Sequence, residues 1–362
     1  MLTYYVTITL VFFISYYAQS RRWVIIGDEM VESKKYNVFV FFTALILIAV
    51  SGLRFGVGTD FFGYALHYRI SWQELWNNII TFHEPGTDII AYFSQYLYND
   101  SVTFIFLTAL VTVFLNVNTI RKYSDDFCLG VLLYIFIGAW HGSFNAIRQY
   151  LAAGVLFYGH RMILERKFWK WTIIVFIAML FHRTALVMLP IYFIANSRDR
   201  RIGILMLLIM VGAMFMSGDF LFSIMGELKG ADQTQYAYMQ QSVNSIRILV
   251  SFAPIVLLPF MPRKAKNDRE TGFYLMMLAS NAGFMFATAS SAYLARVGIY
   301  TDIYATIAFP RIINAISKDG RSANIFRIFI ILLYFGFWFY EVYSRDTLRN
   351  FYWVFERARF GW

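Results

Sequence analysis

Ionisable side chains interrupt an otherwise apolar chain at a few places, and these residues could carry chemistry. The clearest interruption lies within residues 138–156, where His141, Asn145, Arg148 and Gln149 separate two apolar segments. A guanidinium at mid-bilayer costs roughly 2.5 to 3.5 kcal/mol on the insertion scale. We therefore expect the guanidinium of Arg148 at the water boundary, where it forms one wall of a polar site.

Further acids, bases and cations fall on the same predicted face of the membrane. The set is Arg54, Asp60, His67, Glu84, His141, Arg148, His182, Arg183 and Arg296. Carboxylates and imidazoles can transfer protons, whereas arginines stay charged and bind anions. Neither a paired-cysteine pattern nor a His-Glu-x-x-His helix occurs, so we expect metal-independent chemistry without a cofactor.

The composition predicts the class of protein that positions these residues. The 362 residues are 59% hydrophobic and only 15% charged, and the apolar residues form long blocks separated by short polar breaks. In hydrocarbon only helices and closed barrels satisfy their backbone groups, and these blocks do not alternate with period two. The sequence predicts an all-α, polytopic integral membrane protein of about 11 to 12 transmembrane helices. We expect a single domain, residues 1–362, because no polar stretch could form a separate core.

The predicted spans follow from the apolar blocks. They are Leu2–Tyr17, Asn37–Leu53, Ser101–Thr119, Phe127–Trp140, Arg148–Leu164, Ile202–Ser217, Ile246–Phe260, Gly272–Ala289, Leu294–Ile316 and Ile328–Tyr343. Thr87–Leu97 is helical in pattern but too short to span, and is expected at the interface. Phe168–Ile194 has basic flanks at both ends and is interrupted at residues 182–184. Two half-length helices that form a hairpin keep both flanks on one side.

The charge pattern predicts the orientation. The net charge of +10 would suggest a nucleic-acid partner in a soluble protein, but most basic residues here lie in short loops. By the positive-inside rule these loops are cytoplasmic, and both termini, residues 54–100 and residues 218–245 lie outside. The tail, residues 344–362, is an exception because it carries arginines on the outer face. Either the number of spans is off by one, or these arginines bind something anionic outside.

Three segments, taken in order, resemble a known family. They are Gly52–Asp60 with Tyr64, Asn145–Gln149 and Phe181–Leu186. They are similar to the EpsG-like group of Wzy-type polysaccharide polymerases, and the resemblance extends over nearly the whole chain. Two places depart from the family pattern. Arg183 stands where the family usually has a small polar or aromatic residue, and Phe351-Tyr352 stands where a Pro-Tyr pair is common.

The resemblance implies a multi-span, GT-C-like glycosyltransferase in the bacterial cytoplasmic membrane. Such an enzyme polymerises undecaprenyl-diphosphate-linked oligosaccharide repeat units into exopolysaccharide, capsule or O-antigen at the outer face. Its partners would be the lipid-linked donor and acceptor, membrane lipids and a chain-length regulator protein, with no nucleic acid. Two other functions stay open: a flippase or transporter of lipid-linked glycans, and a membrane glycan ligase or acyltransferase.

The same resemblance assigns roles to the ionisable residues. Arginine suits a diphosphate because its planar fork binds two phosphate oxygens. The expected substrate-binding residues are Arg54, Arg148, Gln149, Arg296, Tyr64 and Asn145. The candidate catalytic bases are His182, Asp60 and Glu84, with His182 preferred. The outer loop with Gln235 and Tyr238 is expected to contact the acceptor sugar.

Structural roles compete with several of these assignments. Arg148 could be an interfacial anchor, and Arg54 could snorkel from the end of its span. His182 could be a hydrogen-bonded core histidine, and Asp60 could cap a helix.

Overall fold

The computed structural model describes residues 1–26, 29–197, 199–216, 241–292 and 294–361. The helices of the first half are α1 (Leu2–Ser20), α2 (Lys34–Gly52), α3 (Phe61–Leu66), α4 (Trp72–Ile80), α5 (Pro85–Leu97), α6 (Ser101–Tyr123), α7 (Phe127–Phe136), α8 (Ala139–Gly142), α9 (Ile147–Gly159) and α10 (Arg161–Leu164). Those of the second half are α11 (Phe168–Met179), α12 (Met188–Ala195), α13 (Arg200–Met216), α14 (Ser245–Leu257), α15 (Arg263–Asn267), α16 (Arg269–Ala287), α17 (Ile299–Asp302), α18 (Ala305–Ile316), α19 (Gly320–Tyr343) and α20 (Asp346–Arg349). Turns of 3₁₀ helix cover Arg183–Val187, Leu258–Phe260, Leu294–Gly298 and Val354–Phe360.

The all-α, polytopic architecture predicted from the sequence is confirmed. In the described ranges three helices, α2, α6 and α19, are long and apolar enough to cross a membrane, and several shorter apolar helices accompany them. The total of 11 to 12 spans stays a prediction. The sequence did not predict two small antiparallel ribbons, in which β1 (Trp23–Ile26) pairs with β2 (Glu29–Glu32) and β3 (Arg54–Phe55) pairs with β4 (Tyr352–Trp353).

One end of the helix bundle gathers the basic loops that are predicted to be cytoplasmic. Arg22, after α1, donates to the carbonyl of Ser124 at 2.8 Å, and Arg121 pairs with Glu32 at 2.5 Å. Further contacts at this end join residues distant in sequence: Arg311 with Glu270, Arg327 with Asp126, and Gln19 with Asp125. The basic loops therefore lie together, as the positive-inside pattern requires.

The opposite end holds both chain termini. The amino group of Met1 donates to the carbonyl of Arg349 at 2.9 Å, and the β3–β4 ribbon ties the tail to the loop after α2. The tail arginines each pair with an acid: Arg345 with Glu341, Arg349 with Asp346, Arg357 with Asp100 and Arg359 with Glu356. The tail therefore lies at the end of the N-terminus, and its arginines have partners within the protein.

The hairpin expected between residues 168 and 194 is also confirmed. Trp171 Nε1 in α11 donates to the carbonyl of Met188 in α12 at 3.2 Å, and the rings of Phe168 and Tyr192 lie 5.2 Å apart. Trp171 thus contacts the start of α12, and Phe168, at the start of α11, contacts its later half, so the two helices run antiparallel. The turn between them, residues 180–187, reaches the end that holds the termini, because it contacts the start of α5.

Three predicted spans are interrupted in the part of the chain that the structure describes. The block Phe127–Trp140 is α7 followed by the start of α8, the block Arg148–Leu164 is α9 followed by the short α10, and the block Leu294–Ile316 consists of a 3₁₀ turn, α17 and α18. The prediction of continuous helices was wrong at these points because hydropathy does not detect a break between apolar residues. Ile303 and Tyr304, between α17 and α18, are buried and apolar in pattern.

A buried aromatic cluster supports the segment between α7 and α9. Tyr4 packs edge-on against Trp140 and Trp338, each at 6.4 Å between ring centroids. His141 is buried in this cluster, and its Nδ1 lies 3.2 Å from the indole Nε1 of Trp338, which donates to it. This packing fixes the turn that precedes α9 and thus places Arg148. His141 itself is a core residue.

Candidate functional site

The carboxylate of Glu84 joins three segments that are far apart in sequence. Its Oε2 lies 3.0 Å from Arg148 Nη1, and its Oε1 lies 2.9 Å from His182 Nδ1. The backbone N–H of Arg183 donates to the same Oε1 at 2.9 Å. The contact with His182 has ion-pair distance without the alignment of a hydrogen bond. Three predicted site residues, Glu84, Arg148 and His182, therefore meet at one point.

The backbone around Glu84 is strained. Phe82 and Glu84 both adopt positive φ angles, 51° and 50°, although neither is glycine. A non-glycine residue in this region costs on the order of 1 to 3 kcal/mol, and surrounding contacts must hold it there. The guanidinium of Arg183 supplies one such contact by donating from Nη2 to the carbonyl of Phe82 at 2.8 Å. Pro85 then starts α5 at its first position.

Gly86 explains how the hairpin turn reaches Glu84. Its N–H donates to the carbonyl of Leu180 at 2.7 Å, and a Cβ at this position would lie 2.7 Å from the ring of Phe181. Only glycine permits this close approach of α5 to the turn. This approach places His182, which follows Phe181 in the sequence, beside the Glu84 carboxylate.

Arg148 borders an open cleft, the Arg148 cleft. It lies in the first turn of α9 and keeps 47% of its side chain exposed. The cleft has a volume of about 530 Å³, and its lining includes Thr59, Asp60, Tyr64, Asp88, Phe104 and Arg148. Asp60 and Tyr64, both predicted site residues, therefore share a wall with Arg148.

Burial and the charges around the cleft shift the pKa values of Glu84 and Asp60 in opposite directions. Burial opposes ionisation of Glu84, but contacts with His182 and the Arg183 N–H, together with the charge of Arg148, outweigh it and lower its pKa to about 2. Burial raises the pKa of Asp60 above its usual value, although Arg296 and Arg148 oppose the rise. Glu84 is thus a carboxylate at neutral pH and a weak base.

Arg296 is joined to the same helix as Arg148. Gln149 is buried, and its Nε2 donates to the backbone carbonyl of Arg296 at 2.8 Å. The charge of Arg296 acts on both Asp60 and Tyr64, which places it near the cleft. Gln149 was predicted to bind substrate, and in the structure its side chain positions the segment of Arg296.

Arg54 is engaged by main-chain carbonyls. It is 2% exposed, and it donates to the carbonyls of Ser51, Val57 and Phe144, the last two at 3.3 Å and 3.2 Å. Its guanidinium also lies 4.7 Å from the centroid of the Phe144 ring. The geometry favours a structural role, in which Arg54 joins the loop after α2 to the turn before α9.

Asn145 strengthens the same junction. Its Oδ1 accepts from the backbone N–H of Thr59 at 2.6 Å and from the Thr59 hydroxyl at 3.0 Å. Gly58 has a φ of 102°, and a Cβ there would lie 2.7 Å from Asn145 Oδ1. Asn145 thus holds the glycine-rich loop in place, next to Asp60.

Some residues of the site were not identified from the sequence. Arg183 was grouped with the outer-face charges and noted as a departure from the family pattern, but it was given no role; in the structure both its backbone and its side chain hold the loop of Glu84. Thr184 contacts Tyr300 through their hydroxyls at 2.7 Å, which ties the hairpin turn to α17. Their position beside His182 is the one sequence signal for them. Gln235 and Tyr238 lie outside the described residues.

The comparisons with known proteins give a family. No curated protein and no solved structure matches the chain. The model of the EpsG family matches residues 37–355, a range that contains Asp60, Glu84, Arg148, His182 and Arg296. Because this match covers most of the sequence, the chain belongs to the EpsG family.

Proposed function

We propose that this protein polymerises undecaprenyl-diphosphate-linked oligosaccharide repeat units at the outer face of the bacterial cytoplasmic membrane. Membership of the EpsG family supports a polysaccharide polymerase-type role. The observation that carries the finer proposal is the junction of Glu84 with Arg148 and His182 beside an open cleft. This junction lies at the end of the bundle opposite the basic loops. The product is an exopolysaccharide, capsule or O-antigen chain.

In this proposal Arg148 and Arg296 hold the donor diphosphate. The bond that breaks joins the anomeric carbon to a phosphate oxygen, and the diphosphate leaves with the electron pair. Guanidinium groups neutralise the charge that develops on this leaving group. Arg148 is accessible from the cleft, and the charge of Arg296 acts on the same wall. Glu84 pairs with Nη1 of Arg148 and so fixes the orientation of the guanidinium.

His182 acts as the general base in this proposal. Its Nδ1 faces Glu84, so its Nε2 is available for the acceptor hydroxyl. The hydroxyl proton moves to Nε2 while the hydroxyl oxygen bonds to the anomeric carbon. Glu84 then stabilises the imidazolium by its negative charge. The low pKa of Glu84 favours this supporting role over that of the base itself, and Asp60 is the second candidate base.

A reconstituted assay tests the proposal. Purified protein in nanodiscs is incubated with lipid-diphosphate repeat units, and the products are separated on a gel. We expect a ladder of products. The His182→Gln variant should bind donor lipid and elongate it roughly 10²- to 10⁴-fold more slowly. His83→Gln, which changes an exposed histidine of the neighbouring loop, is the matched control and should retain activity.

The assay also separates the alternatives. A single transfer product without a ladder would indicate a ligase, and absence of any product with active lipid substrate would overturn the polymerase proposal. If His182→Gln elongates at the wild-type rate, the base is a different residue, and Asp60→Asn becomes the next variant to measure.

A further inference from the structure

A second cavity, the α14 cavity, lies beside the site. Its volume is about 320 Å³, and its walls come from α14, α16, the turn before α17, α17 and α19. Arg296 is one of its lining residues. The proposed transfer chemistry uses none of the other residues of this cavity.

Positive charge dominates the outer end of the α14 cavity. Arg247 and Arg345 line it, and both pair with Glu341 Oε2, at 2.6 Å and 3.0 Å. Together with Arg296 there are three guanidinium groups near two acids, Glu341 and Asp302. The cluster therefore keeps a net charge of +1 even when both acids are ionised. Such a cluster favours an anionic ligand.

The inner end of the same cavity is largely apolar, and the hydroxyl of Ser251, which also lines it, donates to the carbonyl of Ile248. α14 runs from Asn244 toward the basic end, so Val250 and Pro254 lie below Arg247, and Pro254 lies roughly 10 Å deeper at 1.5 Å per residue. α19 runs in the opposite direction, and its Tyr334 and Phe337 lie below Arg345. Cations above an apolar lining form a site for an amphiphile with an anionic head.

We propose that the α14 cavity binds the diphosphate and the first isoprenoid units of a second lipid-linked substrate. This inference rests on the proposed function, because a polymerase that joins two lipid-linked chains must hold two lipid diphosphates at once. The Arg148 cleft holds one and the α14 cavity holds the other. Arg296 lines the α14 cavity and acts electrostatically on Asp60 in the cleft, so it lies between the two.

Photolabelling of the full chain locates the lipid. The probe is farnesyl diphosphate with a diazirine on its prenyl chain, added to the protein in nanodiscs, and labelled peptides are mapped by mass spectrometry. We expect labels on α14 and on residues 334–337. Absence of label from both segments would overturn the inference. Inorganic pyrophosphate should compete weakly with the probe, and competition equal to that of unlabelled farnesyl diphosphate would exclude a role for the apolar end.

Matched variants test the charge and the space separately. Arg345→Gln should lower labelling of α14 about 10-fold or more, since a hydrogen bond to a charged group is lost. Arg349→Gln removes an arginine of the same tail that pairs with Asp346 outside the cavity, and it should label normally. Ser251→Phe fills the apolar part without a change of charge and should also block labelling. Normal labelling of both Arg345→Gln and Ser251→Phe would overturn the inference.

The two proposals fail in different ways. A product ladder from a protein that does not label on α14 or α19 removes the α14 cavity as a substrate site and leaves the polymerase standing. Labelling that depends on Arg345 in a protein without a ladder supports the lipid-diphosphate site and removes the polymerase.

Discussion

The Glu84 carboxylate determines what its neighbours can do. It contacts Arg148 and His182 through different oxygens, so neither contact excludes the other. His182 keeps 23% of its side chain exposed, which distinguishes it from the buried core residue His141. A histidine that is both accessible and in contact with a carboxylate suits a general base, because the carboxylate holds one ring nitrogen and leaves the other for the substrate.

Loss of Glu84 should change the pH dependence of stability. The pKa of Glu84 falls from 4.5 to about 2 on folding, so the stabilisation is complete above about pH 4.5 and is lost as the pH falls through 2. This corresponds to a contribution on the order of 3 kcal/mol. Lowering the pH from 5 to 2 should therefore decrease the free energy of unfolding, measured in mild detergent, more for the wild type than for Glu84→Gln. Parallel curves for the two proteins would contradict this.

Replacement by lysine should affect elongation at Arg148 but stability at Arg54. Arg148→Lys keeps the charge but loses the fork, so we expect at least about 10-fold slower elongation with an unchanged melting temperature. Arg54→Lys leaves buried carbonyls without donors and should lower the stability by about 1 to 3 kcal/mol. Melting curves and elongation rates of both variants check this. An Arg54→Lys protein that melts normally but does not elongate would restore its predicted substrate-binding role.

The sequence identifies which residues are chemically capable, but not where their side chains point. Glu84, Arg148 and His182 were all candidates, and the structure brings them together. Arg54 was a candidate for the same reason, a cation at the end of a span. Its burial depends on the carbonyl of Phe144, which is 90 residues away along the chain, and no local pattern encodes that contact.

At the scale of elements, short segments between the spans position the site. The glycine-rich loop after α2 is fixed by Arg54 and Asn145, and the strained loop before α5 is fixed by Arg183. The glycine-rich loop contacts Asn145, which lies just before α9, and the strained loop contacts Arg183, which lies in the turn after α11. The site is thus built where several helices end, rather than along any one helix.

Gly58 should be essential for this arrangement. An alanine there would adopt an unfavourable φ of 102° and would place its Cβ 2.9 Å from the carbonyl of Phe144. We expect Gly58→Ala to lower stability by about 1 to 3 kcal/mol and to slow elongation through displacement of Asp60. Gly212→Ala, within α13 and with open space around it, is the control and should not destabilise the protein. Equal melting temperatures for the two variants would contradict the prediction.

Hydropathy predicted elements better than their interruptions. The short helix expected at Thr87–Leu97 is present as α5, Pro85–Leu97, and its position at the interface stays a prediction. The hairpin of α11 and α12 was correctly inferred from its two basic flanks. The break between α17 and α18 was missed, and so was the β3–β4 ribbon, which pairs the loop after α2 with the C-terminal tail. Long-range pairing of two-residue strands leaves no periodic signal in the sequence.

At the scale of the whole molecule, the two ends of the bundle differ in how their cations are used. At the end with the basic loops, lysines and arginines are concentrated in short connections, which is the pattern of a cytoplasmic face. At the other end the tail arginines pair with acids, among them Asp100, so they give little net positive charge. The tail therefore departs from the positive-inside rule, which counts lysines and arginines, but its arginines are paired within the protein.

Cysteine labelling tests the resulting orientation. In a Cys128→Ala background, Gln73→Cys and Thr347→Cys report on the end with the termini, and Asn267→Cys reports on the basic end; all three positions are exposed. An impermeant maleimide added to intact spheroplasts should label Gln73→Cys and Thr347→Cys, and Asn267→Cys only after permeabilisation. Gly58, which lies in the same outer region as Gln73, donates to the carbonyl of Thr347, so the fold places both labels on one side. A label on Gln73→Cys without one on Thr347→Cys would contradict the fold itself. Full inversion of the pattern would contradict only the orientation.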